Sequence, residues 1–279
     1  MGINRWIEEI KYLFASRKNK VLGLALSGGA TRGSAHIGVL RVLEREGIYP
    51  SIVTGTSAGA IVGAGYAAGI SAERMSDVFQ SLDWPILAEF TFGRRLGIFN
   101  TQPMEGFIEE LIGAKTFNEL PRNLAVVACD IVTGERVILK SGQVSKAVRA
   151  SAAVPGLFMP VDLNGQMLVD GGIVDNFPTQ LAYEMGADYV IGVDLTSLSV
   201  LQTRPSNPIE VIFAANNIRS RNNMSNQNSI DCYIAPDTHL YSGWEFKHSA
   251  EMERAGIEAA EKAIPQLLID LGLQKANRI

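Results

Sequence analysis

The chain has 279 residues, of which 47% are apolar and 19% are charged, and its net charge at pH 7 is −4. This composition excludes a disordered chain, a collagen-like chain and a small disulfide scaffold, and the length is sufficient for a full hydrophobic core. The slight excess of acidic residues argues against a nucleic acid partner. The two cysteines, Cys129 and Cys232, form no CxxC motif, which favours reduced cytosolic thiols over a structural zinc site.

Residues 1–20 are predicted to form an amphipathic helix followed by a basic linker. The helix carries on one face Ile3, Trp6, Ile7, Ile10, Leu13 and Phe14, and the basic residues Arg17, Lys18 and Lys20 follow. Charges within this segment and the lack of a cleavage site exclude a secretory signal. Two interpretations stay open: a helix docked on the domain surface, and an interfacial helix in contact with lipid. We therefore expect a cytoplasmic protein, with peripheral membrane contact under the second interpretation.

Residues 47–72 contain no charged residue, yet they do not predict a membrane span. A transmembrane helix needs about 20 predominantly apolar residues. This stretch is diluted by Pro50, several hydroxyl residues and six glycines. Small residues allow a helix to lie tightly against a sheet, so the stretch is interpreted as a buried strand–turn–helix.

Short β-branched strands alternate with helices along the chain, which predicts a mainly parallel sheet covered by helices. The predicted strands are 21–26, 52–54, 124–129, 136–140, 167–169, 189–193 and 232–234. The predicted helices are 34–46, 58–68, one that begins after Ser71, 143–151, 177–185, 210–218 and 249–271. Residues 83–103 have no clear period and are interpreted as a flap over a site. Since no linker divides the chain, residues 21–279 are predicted to form one domain.

The motif Gly55-Thr56-Ser57-Ala58-Gly59 fits the pattern G-x-S-x-G and lies between a predicted strand and a helix of small residues. In this pattern a sharp turn exposes the serine hydroxyl, and the glycines allow close packing. The N-terminus of the following helix also offers backbone N–H groups to developing negative charge. From the pattern alone, a tight turn without chemistry remains the alternative.

Residues 27–33, Ser-Gly-Gly-Ala-Thr-Arg-Gly, follow the first predicted strand. A P-loop would require Gly-Lys-Ser/Thr at the end of this segment, and a dinucleotide-binding fingerprint would require a glycine where Ala30 stands. Consecutive small residues leave backbone N–H groups unobstructed, which is the requirement for an oxyanion hole. A tight turn without a binding role is again the alternative.

Three aspartates, Asp130, Asp170 and Asp194, follow predicted strands, where catalytic groups of open α/β sheets are favoured. Asp170 differs from the other two because Gly171 and Gly172 follow it directly and allow a close turn. Asp130 and Asp194 resemble ordinary strand-end or helix-capping aspartates. Asp170 is therefore the candidate base.

Three histidines occur in the chain. His239 and His248 follow Ser57 and Asp170 in the order of α/β-hydrolase triads, so that a Ser-His-Asp triad remains open. Against a triad, Ser57 follows only the second predicted strand. His36 lies one turn into the helix after the glycine-rich segment and is interpreted as a packed side chain.

These pieces, in this order, resemble the patatin-like phospholipase family, and most of all its bacterial members related to the catalytic domain of neuropathy target esterase. The resemblance is carried by residues 26–38, 55–59 and 170–172, and it extends over residues 21–194. It implies a three-layer α/β/α fold with a mainly parallel central sheet. It also implies a serine lipid acyl hydrolase, namely a phospholipase, lysophospholipase or esterase.

The resemblance implies a Ser-Asp dyad with no histidine. We expect no metal and no cofactor, because the sequence has neither an EF-hand-like run of acidic residues nor a cluster of cysteine and histidine. Ser57 would be the nucleophile and Asp170 its general base. The resemblance assigns oxyanion or substrate contacts to Gly28, Gly29, Ala30, Arg32 and Gly33, with support from Gly55, Gly59, Gly171 and Gly172. The family often has glycine at positions 27 and 30, so this loop departs from the pattern.

The expected substrate is a lipid ester, whose acyl pocket would be drawn from segments such as 60–104 and 150–160. Two other hypotheses remain: a Ser-His-Asp triad esterase, and a non-catalytic lipid-binding relative. The sequence leaves the lipid, the acyl position and the oligomeric state undecided.

Overall fold

The structure is a computed structural model that describes residues 20–91, 96–113, 116–196, 204–205, 210–212, 214–215, 218–219, 230–241 and 244–273. Residues 1–19 of the predicted amphipathic helix lie outside the described residues. Within the part of the chain that the structure describes, no helix is both long enough and apolar enough to cross a membrane.

The strands are β1 (Leu22–Leu26), β2 (Ile52–Thr56), β3 (Glu89–Phe90), β4 (Gly97–Asn100), β5 (Asn123–Asp130), β6 (Arg136–Leu139), β7 (Gly156–Phe158), β8 (Val161–Leu163), β9 (Gln166–Asp170), β10 (Tyr189–Val193) and β11 (Cys232–Ile234). The helices are α1 (Ser34–Arg45), α2 (Ala58–Ala67), α3 (Ala72–Gln80), α4 (Trp84–Leu87), α5 (Gln102–Ile112), α6 (Val144–Ser151), α7 (Thr179–Glu184) and α8 (Ser249–Asp270). The described residues between 210 and 219 are also helical.

The central sheet has eight strands, with the order β11-β10-β1-β2-β5-β9-β8 and with β6 paired to β5. Strands β11, β10, β1, β2 and β5 are parallel, whereas β9 and β6 run antiparallel to β5. The predicted mainly parallel sheet is therefore confirmed. The uncharged stretch 47–72 forms β2 and α2, as predicted.

Side chains on the strands alternate between two apolar layers, as the period of two in a strand requires. Leu24 and Leu26 belong to a large core that also contains residues of α1, α2, α5, α6 and α8. Ala25, between them, packs with Ala182 of α7 in a smaller cluster on the opposite face. Helices thus cover both faces of the sheet, which gives three layers.

The sequence missed α5 and the short strands β7 and β8. Pro103 stands in the first turn of α5, where its fixed φ and missing N–H suit a helix start, but the sequence interpretation had placed it in an irregular flap. Strands of three residues are too short to show a period. In the structure, segment 83–103 contributes α4, β3 and β4, and β4 pairs with β7 in a second, three-stranded sheet.

Candidate active site

Ser57 occupies the turn between β2 and α2 with φ 54° and ψ −119°. This backbone conformation is rare for a non-glycine residue and, where observed, is typical of functional sites. The flanking glycines follow from the packing of α2 on the sheet. A Cβ on Gly55 would lie 2.5 Å from the carbonyl oxygen of Gly59, and a Cβ on Gly59 would overlap the Leu26 carbonyl.

Asp170 is the last residue of β9 and is 7% exposed. Its backbone N–H donates to the Ala153 carbonyl at 2.9 Å, and its Oδ1 accepts from the Gly172 N–H at 2.7 Å. Gly171 lies directly against β5, because a Cβ there would overlap the Val127 carbonyl oxygen. The two glycines therefore allow the chain to turn closely against β5 directly after Asp170.

The structure brings Ser57 and Asp170 together in a buried site. Burial raises the pKa of the Asp170 carboxyl from 3.8 to about 6, while hydrogen bonds from the Ser57 hydroxyl and the Gly172 N–H oppose that rise. A carboxylate in this state accepts a proton more readily than an exposed one. A hydroxyl that donates to a buried carboxyl with a raised pKa is the arrangement that a nucleophile and its base would need.

The glycine-rich loop corrects one sequence expectation. The Gly28 N–H donates to the Asn176 carbonyl at 2.9 Å, so it is not a free oxyanion donor. The N–H groups of Gly29 and Ala30 have no hydrogen-bond partner within the described ranges, and Ala30 has φ 54°. The Ser27 hydroxyl, at a position that departs from the family pattern, accepts from Leu195 N–H at 2.9 Å and so fixes the loop.

Arg32 and Gly33 lie behind the loop. The Arg32 side chain is buried, and its Nε donates to the Gly29 carbonyl at 3.1 Å. Burial lowers the pKa of Arg32 to about 10, and the negative charge of Asp194 partly opposes this. A Cβ on Gly33 would lie 3.2 Å from the Ala58 Cβ. The buried Arg32 side chain thus stabilises the glycine-rich loop from the interior of the protein.

His36 is packed under the same loop. Its Nε2 lies 2.8 Å from the Ser27 carbonyl oxygen, and its side chain is fully buried. Burial lowers the pKa of His36 to about 4, so the ring is neutral at physiological pH. The sequence interpretation of a packed side chain agrees with this placement.

The hydrogen bonds of the other candidate residues are local. The ring of His239 pairs with Asp237, and that of His248 lies 3.7 Å from Glu251. Among the described residues, the groups that shift the pKa of the Asp170 carboxyl include no histidine.

The other two strand-end aspartates also bind their own turns. Asp130 Oδ1 accepts from the Val132 N–H at 3.0 Å. Asp194 Oδ1 accepts from the N–H of Thr196 at 2.8 Å, and its Oδ2 from the Tyr233 hydroxyl at 2.8 Å. Both therefore perform the structural service that the sequence suggested for them.

Two residues of the site carried no sequence signal. The Ser57 N–H donates to Ser151 Oγ at 2.9 Å, and that hydroxyl donates to the Val127 carbonyl at 2.6 Å. Ser151 thereby ties the end of α6 to the turn that holds Ser57. Asn176 binds the loop at Gly28, although it lies in a segment without a recognisable motif.

A small apolar cavity of about 50 Å³, which opens to solvent, lies beside Ser57 and Ala30. Its wall is formed chiefly by aliphatic and aromatic side chains, among them Ile61, Phe79, Leu87, Met104, Phe107 and Phe158. Trp84 completes one side, stacked on Trp244 with ring centroids 4.0 Å apart. The segments that the sequence proposed for an acyl pocket, 60–104 and 150–160, thus both contribute to this wall.

Solved structures share the fold. VipD of Legionella pneumophila is 15% identical, with a TM-score of 0.51 over 89% of this chain and 67% of that chain. The type III effector protein ExoU is also 15% identical, with a TM-score of 0.50 over 89% of this chain and 53% of that chain. Because the sequence identities are low, this structural likeness shows only the shared patatin-like fold.

Sequence relatives point in the same direction. The chain is 36% identical over 184 residues to an uncharacterized NTE family protein of Mycobacterium tuberculosis, which covers 62% of this chain and 30% of that protein. It is 32% identical over 192 residues to the lysophospholipase NTE1 of Meyerozyma guilliermondii, over 64% of this chain and 13% of that protein. The chain thus spans less than a third of the length of these relatives. The family model for patatin-like phospholipases matches residues 24–183, and this chain therefore belongs to the patatin-like phospholipase family.

Proposed function

We propose that this protein is a serine lipid acyl hydrolase of the phospholipase, lysophospholipase or esterase type, with Ser57 and Asp170 as a catalytic dyad. The observation that carries the proposal is the hydrogen bond between the Ser57 hydroxyl and the Asp170 carboxyl, whose pKa burial raises to about 6. A base with this pKa is ionised at neutral pH and still accepts a proton effectively.

In the acylation step, the Ser57 oxygen attacks the carbonyl carbon of a carboxylic ester while its proton passes to Asp170. The negative charge on the former carbonyl oxygen is held by the N–H groups of Gly29 and Ala30, which the structure leaves unpaired among its described residues. The positive end of α2 adds to this stabilisation. The C–O bond to the alcohol then breaks, the alcohol takes the proton from Asp170, and an acyl-serine remains.

Deacylation repeats these roles with water as the nucleophile. Asp170 takes a proton from the water, whose oxygen attacks the acyl carbon, and the same N–H groups hold the second oxyanion. The bond to Ser57 breaks, and the proton returns from Asp170 to the serine oxygen. A fatty acid leaves, and the enzyme is restored without a cofactor or a metal.

The apolar cavity supports a lipid substrate, because its aromatic and aliphatic wall begins directly at Ser57. The part of an acyl chain nearest the ester can contact this apolar wall while the ester carbonyl lies at the nucleophile. The name of the fungal relative, a lysophospholipase, supports the same class of substrate. We also propose a cytoplasmic location, and for residues 1–20 both interpretations stay open: a helix docked on the domain surface and an interfacial helix that contacts lipid.

Two alternatives have less support. A triad would require a histidine beside the nucleophile, whereas His239 and His248 bind acidic residues of their own segment. A non-catalytic lipid-binding relative would have no need for the strained backbone of Ser57 or for a buried carboxyl beside it.

Labelling with a fluorophosphonate probe, followed by peptide mass analysis, tests the proposal. We expect a single adduct on the peptide that contains Ser57, and no adduct in Ser57→Ala. Asp170→Asn is expected to lower labelling and ester hydrolysis by at least about a hundredfold, since it removes the base. His239→Ala and His248→Ala serve as controls with near-unchanged rates. A folded wild-type protein that takes no label would favour the lipid-binding alternative.

A further inference from the structure

The side chain of Asn176 lies at the centre of the site, between two of its glycines. A Cβ on Gly28 would overlap Asn176 Oδ1, and that same Cβ would lie 3.4 Å from the Ser57 Cβ. A Cβ on Gly172 would lie 2.9 Å from Asn176 Oδ1 and 3.0 Å from Asp170 Oδ1. The carboxamide therefore fills the space between the glycine-rich loop and the turn that carries Asp170.

The backbone around Asn176 holds the same parts together. Its carbonyl accepts from the Gly28 N–H at 2.9 Å, which fixes the loop. One residue earlier, the Asp175 carbonyl accepts from the hydroxyl of Thr56 at 2.8 Å, and Thr56 directly precedes the nucleophile. Loop, nucleophile turn and Asp170 turn are thus all tied to residues 170–176.

The carboxamide itself is incompletely bonded. Asn176 is 7% exposed, and its Nδ2 is buried without a hydrogen-bond partner among the residues that the structure describes. An amide kept only for the stability of a core would normally have both ends bonded, since an unpaired buried donor costs free energy. Packing alone therefore does not account for an asparagine at this position.

We propose that Asn176 is a positioning residue, whose carboxamide sets the distance between the loop at Gly28 and the turn at Gly172 on either side of Ser57. This inference rests on the proposed function, because it assigns Asn176 to the same reaction. Any substitution at position 176 keeps the backbone carbonyl that accepts from Gly28. Substitution of Asn176 therefore tests the role of its side chain alone. Misplacement of reacting groups by about 1 Å can lower a rate by about a hundredfold.

Two substitutions test the proposal on the full chain with a soluble short-chain ester. Asn176→Ala removes the carboxamide, and we expect kcat to fall by about 10- to 100-fold while KM changes less than about threefold. Asn176→Asp keeps the shape but brings a second carboxylate close to Asp170. Like charges raise the pKa of a carboxyl, so we expect the acid limb of the pH–kcat profile to move up by about one pH unit.

The Asp170 carboxyl faces the Ser57 hydroxyl and the Gly172 N–H, and no charged side chain of the described residues contributes to its pKa. A shift of the acid limb of the pH–kcat profile in Asn176→Asp would therefore be caused by the new carboxylate at position 176. The matched control is Asn123→Ala, an exposed asparagine at the start of β5, for which no change is expected.

The wild-type enzyme must first label at Ser57 and hydrolyse the ester, which tests the proposed function separately. A lower kcat in Asn176→Ala together with a shifted limb in Asn176→Asp supports the positioning role. An unmoved limb in Asn176→Asp, or a kcat within twofold of wild type in a folded variant, overturns it. A fall in melting temperature with unchanged kcat at lower temperature would also overturn it, since it would show a structural role only.

Discussion

At the scale of single residues, burial of the Asp170 carboxyl affects both the free energy of unfolding and the proton affinity of this group. Above pH 6 this group is ionised both in the folded and in the unfolded state, and its burial then works against folding. A rise in pKa of about two units corresponds to about 3 kcal/mol. Because the pKa in the folded state is the higher one, this cost grows as the pH rises from about 4 to about 6.

Asp170→Asn should therefore stabilise the fold at pH 8 by up to about 3 kcal/mol, because the neutral amide has no ionised form to bury. Below pH 4 the carboxyl is protonated in both states, so the difference should disappear. Denaturant unfolding at pH 8 and pH 4 measures both values. Asp77→Asn, which changes an exposed aspartate on α3, is the control. A stability difference that is equal at the two pH values would contradict the buried ionisation.

The same titration predicts the pH dependence of the rate. The proposed mechanism requires Asp170 to be ionised, so kcat/KM of the wild-type protein for an ester should rise with pH around a midpoint near 6.

At the scale of elements, glycines allow backbones to meet without side chains between them. Helices α1 and α8 cross at Gly38 and Gly256, where a Cβ on Gly38 would overlap the Glu253 carbonyl and one on Gly256 would overlap the Ala35 carbonyl. Arg41 of α1 and Glu253 of α8 form an ion pair at 2.9 Å beside this crossing. Because α1 follows the glycine-rich loop directly, the crossing also supports the loop.

Gly256→Ala should destabilise the protein by at least about 2 kcal/mol, because the added methyl group forces the two helices apart. Gly106→Ala is the matched control: it lies in the interior of α5, and its Cβ would meet nothing within 4 Å. There, the gain in helix propensity should stabilise the protein by about 0.5–1 kcal/mol. Thermal unfolding of both variants measures the contrast, and a destabilised Gly106→Ala would count against this account.

At the scale of the whole molecule, the cavity is assembled from distant parts of the chain. Ile61 of α2, Met104 of α5, Phe158 of β7 and Phe246 before α8 all line it. The aromatic side chains pack on one another, for example Trp84 and Phe246 with ring centroids 5.1 Å apart. The size of the acyl group that fits is therefore a property of the packed molecule.

Ile61→Phe adds volume inside this cavity one turn after Ser57. We expect kcat/KM for a long-chain ester to fall at least about tenfold relative to a butyrate ester, since one or two methylene groups in such a pocket change rates by about that factor. Ile269→Phe, on the exposed side of α8, should leave the ratio unchanged. Equal loss for both esters would mean that the acyl chain binds elsewhere.

The sequence predicted much of the fold and the central pair of the site, but not its surroundings. Strand β10 matched because its buried run, which contains three β-branched residues, is a strong local signal. Helix α5 was missed, since its Pro103 was interpreted as part of an irregular segment. The bonded N–H of Gly28 and the central place of Asn176 could not be predicted, because both depend on contacts between segments far apart along the chain.

The sequence alone determined most strands of the central sheet, several of the helices that cover it, and the motif glycines at Gly55, Gly59 and Gly171, because these follow from local backbone requirements. It also singled out Ser57 and Asp170 by their immediate neighbours. Only the tertiary structure decided that these two side chains meet, which N–H groups remain unpaired, and where the apolar cavity begins. The raised pKa of Asp170 was likewise decided only by the tertiary structure. It arises from desolvation, which depends on packing in space and not on the neighbouring residues in the sequence.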